Sequence, residues 1–296
     1  MRVRVRVPAT TANLGPAFDC LGLALNLWNE TLFSLEGETI VWDVRGEGAV
    51  FLHRGERNLV WRAFQAGMQA AGLPIPSGMR ISCENGIPLG SGLGSSAAAV
   101  LSGLLGAQAI SGGALSDEAL FRLALSLEGH PDNIAPALQG GLVIAVDDIT
   151  LKIAVPRWYV VYALPEVRLT TSQARAALPA QVSLADAVFN IGHALLVVEA
   201  IRSGDLALLG KAMQDRLHQP YRVSLIPGMA EALEAAREMG GAAAFSGAGP
   251  GMVAFCQETQ VRHIGQAVRK AFGKHGIACR LWCLPPVNRG AQVEIS

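Results

Sequence analysis

The segment Pro88 to Ala99, PLGSGLGSSAAA, limits this chain more than any other stretch. Gly90, Gly92 and Gly94 lack the Cβ that bars left-handed backbone, so their N–H groups can approach an anion closely. Ser95 and Ser96 then open a helix of small residues, whose unpaired N–H groups and dipole favour the same negative charge. A loop and helix joined this way form a cradle for phosphate. The P-loop needs Gly-Lys-Ser/Thr after four variable residues, and the Rossmann loop needs a third glycine where Ser95 stands, so neither common motif applies. A bare Gly/Ser cluster is more often a linker before a buried helix; the tight boundary between loop and helix argues for the cradle, and from these residues alone both readings stand.

A chain of 296 residues holds two ordinary domains or one large one. With 51% hydrophobic and 16% charged residues, it can fill its cores and is not disordered. Its net charge is zero, so nothing in bulk draws it to nucleic acid or an anionic membrane, and the expected partner is a small molecule. Met1 to Gly15 alternates arginine with valine, unlike a signal peptide, and no stretch is expected to reach the length of a membrane span. A cytoplasmic location follows as the expectation. The five cysteines (Cys20, Cys83, Cys256, Cys279, Cys283) form no CxxC pair, which predicts buried thiols in a reducing compartment and no structural zinc.

Alternation makes Arg2 to Val7 a half-exposed strand, and helical spacing covers Asn58 to Ala71. Met79 to Cys83 reads as a strand before the cradle. Ser116 caps a helix to Leu127, and Glu128 to Gly141 (EGHPDNIAPALQGG) reads as a polar loop ahead of a buried strand, Leu142 to Val146. A soft boundary near Pro156 to Trp158 divides the chain into 1–156 and 157–296. Beyond it, Trp158 to Leu164 is a strand. Ser183 to Arg202 is a long helix carrying Leu184, Val188, Ile191, Leu195 and Val198 on one stripe. Helices follow near Asp205 to Leu217 and Pro227 to Met239. Strands Ala242 to Phe245 and Met252 to Cys256 flank a second glycine loop, SGAGPG, and Arg280 to Leu284 is the last strand. No repeat or low-complexity segment appears.

Three polar clusters exceed what a core requires. In PATTANLGPAFD (Pro8 to Asp19) a turn explains Gly15 and Pro16 but not Asp19, set among apolar neighbours. Glu128, His130, Asp132 and Asn133 crowd two carboxylates, an imidazole and an amide into one short stretch, of which helix capping uses one or two. Ser246 to Gly251 taken alone is a hairpin connection.

Together these clusters resemble the GHMP kinases. The family's three ordered motifs match VPATTANLGPAFDCLGLAL (Val7 to Leu25), IPLGSGLGSSAAA (Ile87 to Ala99) and SGAGPG (Ser246 to Gly251), with Ala248 where serine is usual. EGHPDNIAPALQGG and LTTSQARAALP (Leu169 to Pro179) are similar to the branch that acts on L-homoserine. The resemblance spans nearly the whole chain. It implies an α+β, two-domain fold, with an N-terminal ribosomal-protein-S5-like domain that binds ATP and a C-terminal ferredoxin-like α/β-plait domain. It also implies a homodimer as one possible assembly.

The resemblance assigns roles. Pro88, Leu89, Gly90, Ser91, Gly92, Leu93, Gly94, Ser95, Ser96, Ala97 and Ala98 would wrap the ATP phosphates, with Asn58 near the adenine. Ser96 and Glu128 would hold Mg2+, a hard cation that takes oxygen ligands. Asn13 and Asp19 would position homoserine, joined by His130, Asn133 and Gly247. Arg175 and Arg222 would fork the substrate carboxylate, although Arg216 is near enough in sequence to replace Arg222. The implied reaction moves the γ-phosphoryl group of ATP to the homoserine side-chain hydroxyl, on the route to threonine. Asp132 could take the hydroxyl proton, or it could hold its loop together. The only lysines, Lys152, Lys211, Lys270 and Lys274, lie outside every motif, so Mg2+, the helix dipole, backbone N–H groups and arginine must balance the triphosphate. Mevalonate-acting relatives carry a lysine where this chain has Thr10 and Thr11. The alternatives are a relative acting on a neutral alcohol, which would not need two arginines, a decarboxylating relative, and a binder that has lost turnover, which would be free to lose Ser96 and Glu128.

Overall fold

The fold, taken from a computed structural model, describes residues 1–296. Alternation builds β1 (Arg2–Ala12), in which Val3, Val5 and Val7 are buried while Arg2 and Arg4 face solvent. The strand outruns its expected end at Val7. A register shift between Pro8 and Ala9 absorbs the proline, and the antiparallel ladder with β2 (Leu21–Ser34) continues to Ala12. Next come β3 (Ile40–Gly46), α1 (Leu59–Ala70) and β4 (Met79–Asn85), with β3 and β4 parallel as a crossover helix requires.

The small residues of α2 (Ser95–Ile110) let it close on α1, since a Cβ at Gly103 would overlap the Val60 carbonyl. Ser116 caps α3 (Asp117–Glu128) by accepting the Ala119 N–H, and Gly129 ends it in left-handed backbone. The expected polar loop after Glu128 is in fact mostly a helix, α4 (Pro131–Gln139). Pro131 occupies its first turn, where no N–H is needed, and Pro136 deprives the Asp132 carbonyl of a helical donor. That carbonyl abuts β2 at Gly22, where any Cβ would overlap it. The hairpin of β5 (Leu142–Val146) and β6 (Ile149–Ile153) completes this half.

The second half opens with β7 (Tyr159–Pro165), α5 (Thr171–Ala176) and α6 (Leu184–Ser203). Most of the expected stripe faces solvent, with Leu184 81% exposed, Val188 61%, Ile191 62% and Leu195 68%, while Val198 packs against the core. The buried side of α6 is formed instead by Asn190, Val197, Ala200 and Ile201. Contrary to the sequence reading, α6 is also long and apolar enough, by length and composition alone, to cross a membrane, although only 22% of its window is buried. The next helix, α7 (Leu206–Ala212), stops short of Leu217 because the Asp215 carboxylate captures the N–H groups of Leu217, His218 and Gln219.

Then come α8 (Gln219–Arg222), α9 (Met229–Glu238), β8 (Ala242–Phe245), β9 (Met252–Cys256), α10 (Val261–Gly273) and β10 (Cys279–Cys283). Their antiparallel sheet has the order β10-β7-β9-β8 and is covered by α9 and α10, the ferredoxin-like β-α-β-β-α-β arrangement, with α5 to α8 as an insertion. The last strand, β11 (Gln292–Ile295), crosses the 156/157 division and pairs with β1 in the first sheet, β11-β1-β2-β4-β3. One core runs through both halves, from Val3 and Leu101 to Tyr162 and Phe255. All five cysteines are free thiols, and only Cys83 and Cys256 are buried. Cys20 and Cys283 are exposed, because each lies where its strand or turn meets solvent.

Candidate functional site

A cavity of about 430 Å³ lies where the first-motif loop, the cradle, the start of α4, α5 and the SGAGPG loop converge. Its cradle wall is shaped from behind. Gly90, Gly92 and Gly94 all take left-handed backbone, with φ of 60°, 79° and 66°. The Tyr162 hydroxyl donates to the Ser91 carbonyl, the Ser246 hydroxyl to the Gly92 carbonyl at 2.6 Å, and the Thr10 N–H to the Leu93 carbonyl at 3.1 Å. None of these three donors lines the cavity. No N–H from Leu89 to Ala97 donates within the protein, the first that does being Ala98, to Gly94. An uninterrupted run of unused donors at a helix N-terminus is an anion site.

Of the cradle residues, Leu89, Gly90, Ser91, Gly92, Gly94, Ser95 and Ser96 line the cavity. Pro88, Leu93, Ala97 and Ala98 do not, because their side chains are packed into the core. Asn58 reaches the cavity but uses both ends of its amide locally: Oδ1 accepts the Val60 N–H as cap of α1, and Nδ2 donates to the His53 carbonyl. It joins Val44, Leu52, Leu59 and Cys83 in an apolar wall suited to a flat ring.

Beside the cradle, the Ser96 hydroxyl donates to Glu128 Oε1 at 2.5 Å. Burial holds the Glu128 carboxyl above its ordinary pKa, against the Ser96 bond. No group of three or more acidic, His or Cys side chains gathers as a metal cage. Two oxygen donors against a phosphate cradle nonetheless fit Mg2+, which takes one or two protein ligands and completes its shell with phosphate and water.

The opposite end is charged. Both Asp19 oxygens accept from Arg175 Nη2, at 2.9 and 3.0 Å, while Arg175 Nε is buried without a partner. Asn13 is a strut: its Nδ2 donates to the Gly247 carbonyl at 2.9 Å and its Oδ1 accepts the Asp19 N–H at 2.9 Å. Its left-handed φ of 73°, and that of 57° at Asp19, aim this turn into the cavity. Arg222 is 1% exposed yet lines the cavity, whereas Arg216 lies outside it, bonded to Asp186 and stacked on Phe189. Burial lowers the Arg222 pKa to about 10. Arg175 and Arg222 both lie over the Phe18 ring, at 5.4 and 5.2 Å.

Asp132, 3% exposed, is pushed up to about 7 by burial and then by the Asp19 charge, with Arg175 and Asn133 opposing. Asn133 donates to Asp132 at 3.3 Å and accepts from the Thr10 hydroxyl at 2.8 Å. Burial, then Arg175, lowers the His130 imidazole at the head of α4, against Asp19. The structure thus gathers every expected polar residue around one cavity. Sequence reading missed Phe18, Thr170 and Thr171, which also line it. Phe18 adjoins a residue that was singled out, and the two threonines sit in LTTSQ, so composition offered a faint signal for each.

A model described as GHMP kinases N terminal domain matches residues 58–141, and one described as GHMP kinases C terminal matches 197–274. The chain is 46% identical over 295 residues to a homoserine kinase of Moorella thermoacetica, covering 98% of this chain and 99% of the relative. It is 43% identical over 303 residues to one of Synechococcus sp., covering 99% and 98%. A crystal structure of homoserine kinase from Cytophaga hutchinsonii superposes with a TM-score of 0.88 at 31% identity, covering 99% and 97%. A mevalonate kinase crystal structure, at a TM-score of 0.73 and 14% identity over 97% of this chain and 99% of that one, shares the fold.

Proposed function

The chain belongs to the GHMP kinases and, within them, to the homoserine kinases; on that premise we propose how its cavity divides the work. The reaction is ATP-dependent phosphorylation of the L-homoserine side-chain hydroxyl to O-phospho-L-homoserine, on the route to L-threonine. What carries the division is a single cavity with unused N–H donors at one end and Asp19, Arg175 and Arg222 at the other.

The triphosphate lies along Leu89 to Ala97, with the nucleobase against the apolar wall. Ser96 and Glu128 would hold Mg2+, which when bound offsets phosphate charge and polarises the γ-phosphoryl group. No lysine lines the cavity, so the backbone supplies the remaining stabilisation. Homoserine is a zwitterion, and the Asp19–Arg175 pair is its complement: Asp19 takes the α-ammonium, while Arg175 and Arg222 take the carboxylate. The side-chain oxygen then bonds to the γ-phosphorus as the bond to the ADP oxygen breaks. Positioning supplies most of the rate in so loose a transition state.

Asp132, at about 7, is balanced to accept the hydroxyl proton near neutral pH. For Asp132→Asn, kcat is expected to fall at least tenfold and to lose its rise through about pH 7. The same change stabilises the fold at pH 8: a carboxyl raised from 3.8 to about 7 destabilises progressively as pH rises between those values, and the amide does not. Near-normal turnover of Asp132→Asn, with or without the expected rise in melting temperature, would remove Asp132 from the chemistry.

The assignment is tested by ADP release with Mg-ATP against homoserine, serine, mevalonate and galactose. Homoserine is the expected substrate; turnover of mevalonate or galactose without homoserine overturns it, and no turnover at all makes the protein a binder.

Free ATP and amino acid place the reaction in the cytoplasm. The proposed assembly is a homodimer, and the exposed row on α6 supports it. Leu184, Val188, Ile191 and Leu195 are spaced four, three and four apart, so in an antiparallel two-fold pair Leu184 meets the second copy's Leu195 and Val188 its Ile191. Sedimentation equilibrium is expected to show a dimer and, for Ile191→Asp, a monomer; a monomeric parent chain sinks the idea.

A further inference from the structure

Arg222 is an unusual cation. It is buried, yet no carboxylate lies within 4 Å of it, and its protein partners are the Ala174 carbonyl at 3.1 Å, His218 Nδ1 at 3.2 Å and the Phe18 ring. The geometry fixes the state of His218. Its Nε2 is 2.7 Å from the Gly15 carbonyl, which can only accept, so Nε2 carries the proton. Its Nδ1 faces Arg222, which can only donate, so Nδ1 is bare and the ring is neutral.

Asp215 is the nearest anion behind the ring, 3.6 Å from Nε2. Its oxygens are saturated by Asn190 and by the N–H groups of Leu217, His218 and Gln219, which keep it away from Arg222. Phe18 stacks on the imidazole at 5.1 Å and completes the packing.

We propose that His218 is a positioning residue for substrate recognition, a neutral acceptor that aims the Arg222 guanidinium into the cavity while leaving its charge free for the substrate carboxylate. The inference rests on the reading of Arg222 given above. A carboxylate at position 218 would hold Arg222 equally well but neutralise it; an apolar ring would leave its charge intact but unaimed. Through Gly15, the same imidazole ties this aim to the loop that presents Asp19.

Two amide variants separate these bonds. In His218→Asn the side-chain oxygen can stand near Nδ1 and keep the bond to Arg222; in His218→Gln the amide reaches the Nε2 position and keeps the bond to Gly15. KM for homoserine is expected to rise about tenfold in His218→Gln and to stay within about threefold in His218→Asn, with kcat and the KM for ATP near parent values in both. A purely structural role predicts the reverse order or parallel changes in all constants, and either result overturns the proposal. Because His218 is fully buried, the ratio of kcat/KM for homoserine to that for 3-amino-1-propanol, which lacks the carboxylate, is measured alongside. That ratio is independent of the fraction that folds, and it is expected to fall about tenfold for His218→Gln alone. An unchanged ratio overturns the role of His218. If Arg222→Met also leaves the ratio unchanged, the reading of Arg222 itself is what failed.

Discussion

Gly92→Ala loses ATP binding, with KM for ATP raised more than a hundredfold or no saturation at all. The new methyl would overlap the Ser246 carbonyl, and position 92 also holds left-handed backbone at φ 79°. The conformational term is only about 1–2 kcal/mol. The overlap is the larger effect, because relieving it breaks the Ser246 hydroxyl bond to the Gly92 carbonyl and turns the loop's donors away from the cavity. Gly90→Ala is the matched control: its φ is 60° and its Cβ meets nothing within 4 Å, so it carries the conformational term alone and is expected to weaken ATP about tenfold. Nucleotide titration of both variants checks this. Equal effects would mean that overlap is irrelevant and that the cradle is not held from behind.

Asp19→Asn lowers kcat/KM for homoserine at least a hundredfold and leaves the KM for ATP unchanged. The amide cannot neutralise the α-ammonium, and it strands Arg175, whose Nε already lacks a partner. Losing the charge partner of a bound, desolvated ammonium costs about 2–5 kcal/mol, and a hundredfold in kcat/KM is about 2.7 kcal/mol of that. The sharper measurement compares homoserine with 4-hydroxybutyrate, which has no ammonium group. The parent enzyme is expected to prefer homoserine strongly and Asp19→Asn to lose most of that preference. Retention of the full preference would show that the ammonium is bound elsewhere.

The cradle was legible in sequence because its chemistry is local: three glycines and two serines meet at a helix start within a few residues. The Ala242 to Phe245 and Met252 to Cys256 strands were legible for the same reason, each bounded by glycine. What stayed hidden depends on contacts between distant segments. The Asp19–Arg175 pair spans 156 positions, and Tyr162 reaches Ser91 across 71. Helix α4 hid behind Pro131 and Pro136, ordinary breakers that are tolerated here because one sits in the first turn and Gly22 makes room for the carbonyl freed by the other. On α6 the aliphatic spacing gave the helix but not its facing, because an amphipathic stripe does not reveal whether its apolar side meets the chain's own core. β2, β3, α5, β6, α8, α10 and β11 went unread.

The pairing of β1 with β11 has a consequence for synthesis. β1 carries Thr10, Thr11 and the approach to Asn13, and one of its edges is satisfied only by a strand made roughly 280 residues later. At the ribosome's pace of about 5–20 residues per second, that edge stays open for on the order of tens of seconds. Arg2, Arg4 and Arg6 alternate along the strand throughout that wait, and charged residues are what discourage an unpaired edge from joining a neighbouring nascent chain.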